Sequence, residues 1–121
     1  MENYGVEELI ALNIRDKLIY VSNTIVLKYI NNENTQKITA LAVDYGKIYT
    51  PLVRSFATYI KVIEGEAEVV VNTSSTTITT TNLVRDDSMV ILEDCRYRII
   101  ANQRYKMLSI LLKNNSNTFT I

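Results

Sequence analysis

The chain has 121 residues, the length of one ordinary domain, and 47% of them are hydrophobic, enough to build a core. Thirteen basic residues balance thirteen acidic ones, for a formal net charge of zero. That balance advertises no basic face for nucleic acid and no acidic solvating tail.

Trp is absent, Phe is scarce, and there are eight Tyr. Much of the aromatic volume therefore carries a hydroxyl that must find a partner or reach water. The segment Met1 to Glu8 is acidic and lacks a long apolar run, so we expect neither a secretory signal nor a membrane span. Cys95 is the single cysteine and cannot form an internal disulfide. The simplest setting is a reducing, cytoplasmic one, with Cys95 a small, partly buried apolar residue. A nucleophilic cysteine normally needs a histidine base, and the chain has no histidine.

In chain order, Gly5 to Leu12 reads as a short helical turn. Lys17 to Ser22 and Thr24 to Ile30 are rich in β-branched and aromatic residues and read as strands. Asn31 to Asn34 is a turn cluster. Gln36 to Asp44 is a strand, ended by Tyr45-Gly46. Phe56 to Ile63 is a strand, Glu64-Gly65 its turn, and Glu66 to Val71 its hairpin partner. After a turn at Asn72 to Ser75, Thr76 to Thr81 returns as a Thr-rich strand. Asn82 to Asp87 turns, with Asp86 and Asp87 bonding nearby backbone. Strands follow at Ser88 to Leu92, Tyr97 to Ala101 and Tyr105 to Leu112, with turns at Glu93-Asp94 and Asn102-Gln103. The tail from Lys113 frays or adds an edge strand. Many short strands at near-regular spacing predict a single all-β sandwich or barrel with no linker, spanning residues 1–121.

Several stretches resemble the small single-domain bacterial cupins. They are Ala40 to Gly46, Tyr59-Ile60-Lys61-Val62-Ile63-Glu64-Gly65-Glu66, Asp87-Ser88-Met89-Val90-Ile91, and Tyr105 to Leu111. The resemblance covers roughly residues 18 to 112 and implies a cupin-type double-stranded β-helix, the jelly-roll barrel. It also implies where a cupin metal would be held, and there the chain departs. The first motif's two histidine positions fall on Leu52 and Arg54, its glutamate on Thr58, and the second motif's histidine on Tyr97. Leu92 and Arg96 stand where proline is usual, and Asp86 replaces a glycine. Leu cannot ligate, Arg repels a cation, and Thr is a weak neutral donor, so no metal and no other cofactor is expected.

By the same resemblance, Leu52, Arg54, Thr58 and Tyr97 face the barrel interior. A guanidinium there needs an anionic or strongly accepting partner, and Arg54 with Tyr97 would clamp a small anionic or polar ligand. Glu64, Glu66 and Glu68 alternate along one strand and read as a polar outer face or as an acid/base pair. Arg85, Arg96, Arg98 and Arg104 are interleaved with acids, which suggests a mixed surface. Three functions stay open: a metal-free small-molecule-binding module, a metal-independent isomerase, epimerase or lyase, and a structural protein with a filled barrel. Both faces of Tyr105 to Leu112 are largely apolar, so a homodimer is expected to cover the outer one.

Overall fold

A computed structural model of the chain describes residues 14–33, 36–53, 55–74 and 76–112, with the backbone alone for residues 31–33 and 36. The helical turn expected at Gly5 to Leu12, the side chain of Arg54 and the tail from Lys113 lie outside the described residues. Eight strands follow in order: β1 (Ile25–Glu33), β2 (Gln36–Val43), β3 (Ile48–Tyr49), β4 (Ala57–Asn72), β5 (Ile78–Val84), β6 (Ser88–Ile91), β7 (Arg96–Ile100) and β8 (Tyr105–Leu112). All their pairings are antiparallel.

The strands form two sheets that share β4. The first sheet runs β1-β2-β8-β4 with β6 beyond, using the first half of β4. The second runs β3-β7-β4-β5, using the second half. The expected hairpin at Glu64-Gly65 is therefore corrected. β4 is one strand of 16 residues that crosses from sheet to sheet. The crossing is a bulge, where the register against β8 slips between Val62 and Glu64. It puts two consecutive residues, Ile63 and Glu64, on the outer face, so the inward positions pass from even numbers (Ile60, Val62) to odd ones (Ala67, Val69, Val71). Gly65 sits there at φ +81°, and an added Cβ would collide with the Arg104 carbonyl oxygen. Gly is required here to bend a strand, where the sequence pattern suggested a turn.

The period of two sorts the side chains. Leu41 and Val43 of β2, Ile60, Val62, Ala67, Val69 and Val71 of β4, Ile99 of β7, and Tyr105 and Met107 of β8 fill the space between the sheets. Cys95 packs against this core, half-buried as expected. A second cluster lies outside the first sheet. Ile14 and Leu18 pack onto Ile38, Ala40, Ala42, Ile63 and Leu108, with Tyr20 at the margin. Residues 14–17 make one helical turn, closed by Leu18 N–H donating to the Ile14 carbonyl at 3.0 Å. Residues 18–24 hold no strand, which corrects the strand expected at Lys17 to Ser22: Leu18 and Tyr20 pack over the sheet instead of joining it, while Ile19 and Val21 stay exposed. β1 also continues through Asn31 to Glu33, past a bulge between Tyr29 and Asn31, where a turn was expected.

The covering segment is pinned by a polar cluster. The Tyr20 hydroxyl donates to Glu64 Oε2 at 2.7 Å, and Lys106 Nζ donates to the Arg15 carbonyl at 2.8 Å, with Glu64 3.8 Å away. Arg104 Nε bonds Asp44 Oδ1 at 2.7 Å, and the Asn23 amide donates to Asp44 Oδ2 at 2.6 Å. Lys106 is only 6% exposed, so its charge is held by these partners and by the Tyr20 ring, 5.1 Å away. Burial and the Glu64 carboxylate push the Tyr20 hydroxyl well above the ordinary tyrosine range.

Candidate functional site

The barrel mouth is built by the last inward-facing rows of the first sheet. One row runs Tyr29 to Thr39 to Ser109 across β1, β2 and β8, and the next runs Lys37 to Leu111 to Thr58 across β2, β8 and β4. Tyr49 of β3 and Tyr97 of β7 face them from the second sheet, and Pro51 closes the side. Among the described residues, six hydroxyls and the Lys37 ammonium thus surround a hollow of about 50 Å³, with Leu27 and Leu111 as its apolar parts and no carboxylate in its lining. Lys37 Nζ stands 5.2 Å from the Tyr29 ring centroid. The hollow has room for a few water molecules, or for the polar head of a ligand whose body stays in the open mouth. Deeper in, Leu41, Ile60, Val62, Val69, Ile99 and Met107 are almost completely buried, so the lower barrel is filled.

Tyr105 is completely buried in this core, and its hydroxyl has no hydrogen-bond partner among the described residues. Burial, with smaller contributions from Tyr49 and Tyr97, pushes this hydroxyl far above the ordinary tyrosine range. A neutral, unpaired donor therefore sits beside two tyrosines that line the mouth.

Two of the sequence-predicted site residues meet here. Thr58 is 5% exposed and Tyr97 9% exposed, both turned inward at the mouth. Leu52 does not join them: it is 76% exposed, which corrects its expected interior position. It follows Pro51 in the irregular connection between β3 and β4, where no strand periodicity holds its side chain inward. Arg54 lies outside the described residues. Leu27, Tyr29, Lys37, Thr39, Tyr49, Ser109 and Leu111 were not anticipated. Strand alternation was the available signal, since 39 and 37 share a face with Leu41, and 109 and 111 share a face with Met107.

The donor set does not fit a cupin metal. The chain has no histidine. Thr58 and Tyr97 offer only neutral hydroxyls, and Leu52 points away. Among the described residues, no three His, Cys, Asp or Glu side chains gather where a metal ion could sit. The glutamates that alternate along β4 are spread by the bulge. Glu66 accepts from Asn82 and Glu68 from Asn102 on the outer face of the second sheet, while Glu64 turns to Tyr20 and Lys106. Asp87 Oδ2 accepts from the Val84 amide, and Asp86 adopts φ 74°, as a turn of two aspartates should. No helix of the described residues is long and apolar enough to cross a membrane.

No family model and no curated protein matches the sequence. Solved structures do match in fold. A cupin superfamily protein from Desulfitobacterium hafniense superposes with a TM-score of 0.72 at 18% identity, over 80% of this chain and 84% of its own. A protein of unknown function from Streptococcus pyogenes gives 0.75 at 14% identity, over 95% and 92%. A putative mannose-6-phosphate isomerase from Ralstonia eutropha gives 0.69 at 12% identity, over 93% and 100%. Two antiparallel sheets sharing a bent strand, closed around one core and matched by these neighbours, give the chain the all-β cupin barrel fold, without the residues that hold a cupin metal.

Proposed function

We propose that the protein is a small-molecule-binding module that takes the carboxylate or similar acidic head of its ligand at the barrel mouth, without a metal. The observation that carries this is the lining: among the described residues, six hydroxyls and one ammonium converge on a small hollow with no carboxylate among them. Such a set donates hydrogen bonds to a negatively charged acceptor and repels none. Thr58 and Tyr97 belong to the binding set. We include Arg54 for its sequence position between Pro51 and Thr58, both of which line the mouth. Leu52 is too exposed to contribute.

Catalysis has less support. An isomerase, epimerase or lyase would need a general base, and the described lining of the mouth offers only Lys37 and tyrosines for that role, with no carboxylate or imidazole. The filled-barrel structural reading has one observation in its favour, the small room of about 50 Å³. The expected homodimer also belongs to this proposal, on altered grounds. The outer face at Leu108 is covered by the chain's own Ile14 and Leu18. The support moves to edge strand β1, where Leu27, Tyr29 and Ile30 are 45%, 58% and 37% exposed. A reducing, cytoplasmic setting remains the reading of the single cysteine.

Native mass spectrometry of freshly purified, untagged protein tests the binding proposal. We expect a small acidic molecule to co-purify, and Arg54→Ala and Thr58→Val to lose it while keeping the β-sheet circular dichroism of the parent. If no adduct is present and a panel of small carboxylates gives no thermal shift, the barrel is a filled structural module.

A further inference from the structure

The outer face of the second sheet holds a different feature. On β7, Arg96 and Arg98 point outward while Tyr97 between them points in, and their cross-strand partners on β4 are Asn72 and Val70. The side chains at 96 and 98 stand roughly 7 Å apart along the strand, from a rise of about 3.4 Å per residue. Between them opens a hollow of about 160 Å³, lined by Thr50, Val70, Asn72, Arg96, Arg98 and Tyr97. Val70 is 4% exposed although it lies on the outer face, so the arginine stems and their neighbours shield it as an apolar floor.

Two like charges side by side want a counter-charge. Among the described residues, the side chains of Arg96 and Arg98 make no ion pair or hydrogen bond. The acids of the same face are engaged elsewhere, Glu66 with Asn82 and Glu68 with Asn102. Glu93 and Asp94 lie in the preceding turn and do not line the hollow. Two guanidinium forks, the Asn72 amide and the Thr50 hydroxyl therefore edge a hollow with no acidic residue in its lining among the described residues.

We propose that this hollow, which shares only Tyr97 with the lining of the mouth, is a second binding site for a phosphate group: inorganic phosphate or the phosphate of a small ester. A tetrahedral dianion presents oxygens in several directions, enough for two bidentate forks and two neutral donors. A planar carboxylate satisfies one fork. The size agrees, since drug-sized ligand pockets begin at about 300 Å³ and this one suits a head group. The site does not depend on the mouth binding anything.

The probe is inorganic phosphate, titrated at constant ionic strength into the full chain and followed by NMR of arginine Nε–Hε and backbone amide signals. The proposal expects saturable shifts at Arg96, Arg98, Val70 and Asn72. It expects about tenfold weaker binding in Arg98→Gln, since one charged fork is lost, and an intermediate loss in Arg98→Lys, which keeps the charge without the fork. Both positions are exposed, so the variants should fold. Thr58→Val at the mouth should leave phosphate binding unchanged. No saturable shift at Arg96 and Arg98 up to ~50 mM phosphate, far weaker than any millimolar site, would overturn the site. Equal affinity in the Arg96→Gln/Arg98→Gln double variant would do the same, because the phosphate would then bind elsewhere.

Discussion

The two sheets share a strand but not a design. The first is apolar on both faces: Leu41 and Met107 look into the barrel, while Ala40, Ala42 and Leu108 lie under Ile14 and Leu18. The second is apolar inward and mixed outward, where Val70, Ile78 and Val84 lie among polar side chains. Along β4, Ala67, Val69 and Val71 face the core, while Glu66, Glu68 and Asn72 face out beside Arg96, Arg98 and Thr80. Apolar residues on both faces of β2 and β8 thus mark the covered sheet, and charged side chains at outward positions 66, 68, 96 and 98 mark the solvated one. The difference also divides the work. The covered sheet is fixed by its own N-terminal segment, which leaves the mouth and the open face as the surfaces free to meet small molecules.

The largest effect should come from the hinge that joins the two. Gly65→Ala would impose a positive-φ cost of about 1–2 kcal/mol and a clash with the Arg104 backbone that only main-chain movement relieves. We expect a total of at least ~3 kcal/mol in chemical denaturation, or failure to fold. Gly46 has a similar φ of +84° with nothing near its added Cβ, so Gly46→Ala should cost only about 1–2 kcal/mol. Equal losses at the two glycines would mean that the bulge is not the hinge described.

Next comes the cover itself. Leu108→Ala removes a fully buried side chain from the outer face of the first sheet and should cost about 2–4 kcal/mol. Thr80→Ala, on the outer face of the second, should stay within about 0.5 kcal/mol. Urea midpoints for the two would expose any error in the contrast between the sheets. Tyr20→Phe removes the hydroxyl bonded to Glu64 and should cost about 1 kcal/mol.

The same polar cluster sets an acid limit. The Asn23 amide, then Arg104, holds the Asp44 carboxyl below the usual carboxylate range. A folded-state pKa below the unfolded value means that this contribution is complete above about pH 4 and is lost as pH falls through the folded value. Asp44→Asn should flatten that part of the stability profile on the acid side, and an unchanged acid slope would show that Asp44 is not so held. The smallest effect concerns Tyr105. Its hydroxyl is buried and unpaired, so Tyr105→Phe should be neutral or should stabilise by about 1 kcal/mol. A clear loss of stability would reveal a partner for that hydroxyl.

Much of the fold was legible. Gln36 to Val43 and Tyr105 to Leu112 carry unbroken β propensity, and both form strands close to the expected bounds. The Thr-rich segment is a strand as read, displaced to Ile78–Val84. The errors have physical sources. Glu64-Gly65-Glu66 looks like a hairpin turn because a bulge and a turn draw on the same property of glycine, freedom at positive φ. Lys17 to Ser22 has strand composition, but β propensity reports fitness for a half-buried surface, and a covering segment is one as well. The inward positions of Thr58 and Tyr97 were legible because they lie in regular strands. Leu52 was misplaced because Pro51 opens a stretch where alternation does not apply. Arg96 and Arg98 were read together with Arg104 as a mixed surface. Sequence could not show that Arg104 pairs with Asp44 on one side of the molecule while the other two border a hollow on another.

The central claim is that the mouth accepts an acidic head group. Titration of small monocarboxylates, followed by backbone amide NMR, tests it directly. The account predicts saturable shifts concentrated at Thr39, Thr58, Tyr97 and Ser109, weakened in Thr58→Val and unaffected by Leu52→Ala. Amide signals that stay fixed at all four residues through the titration would contradict it.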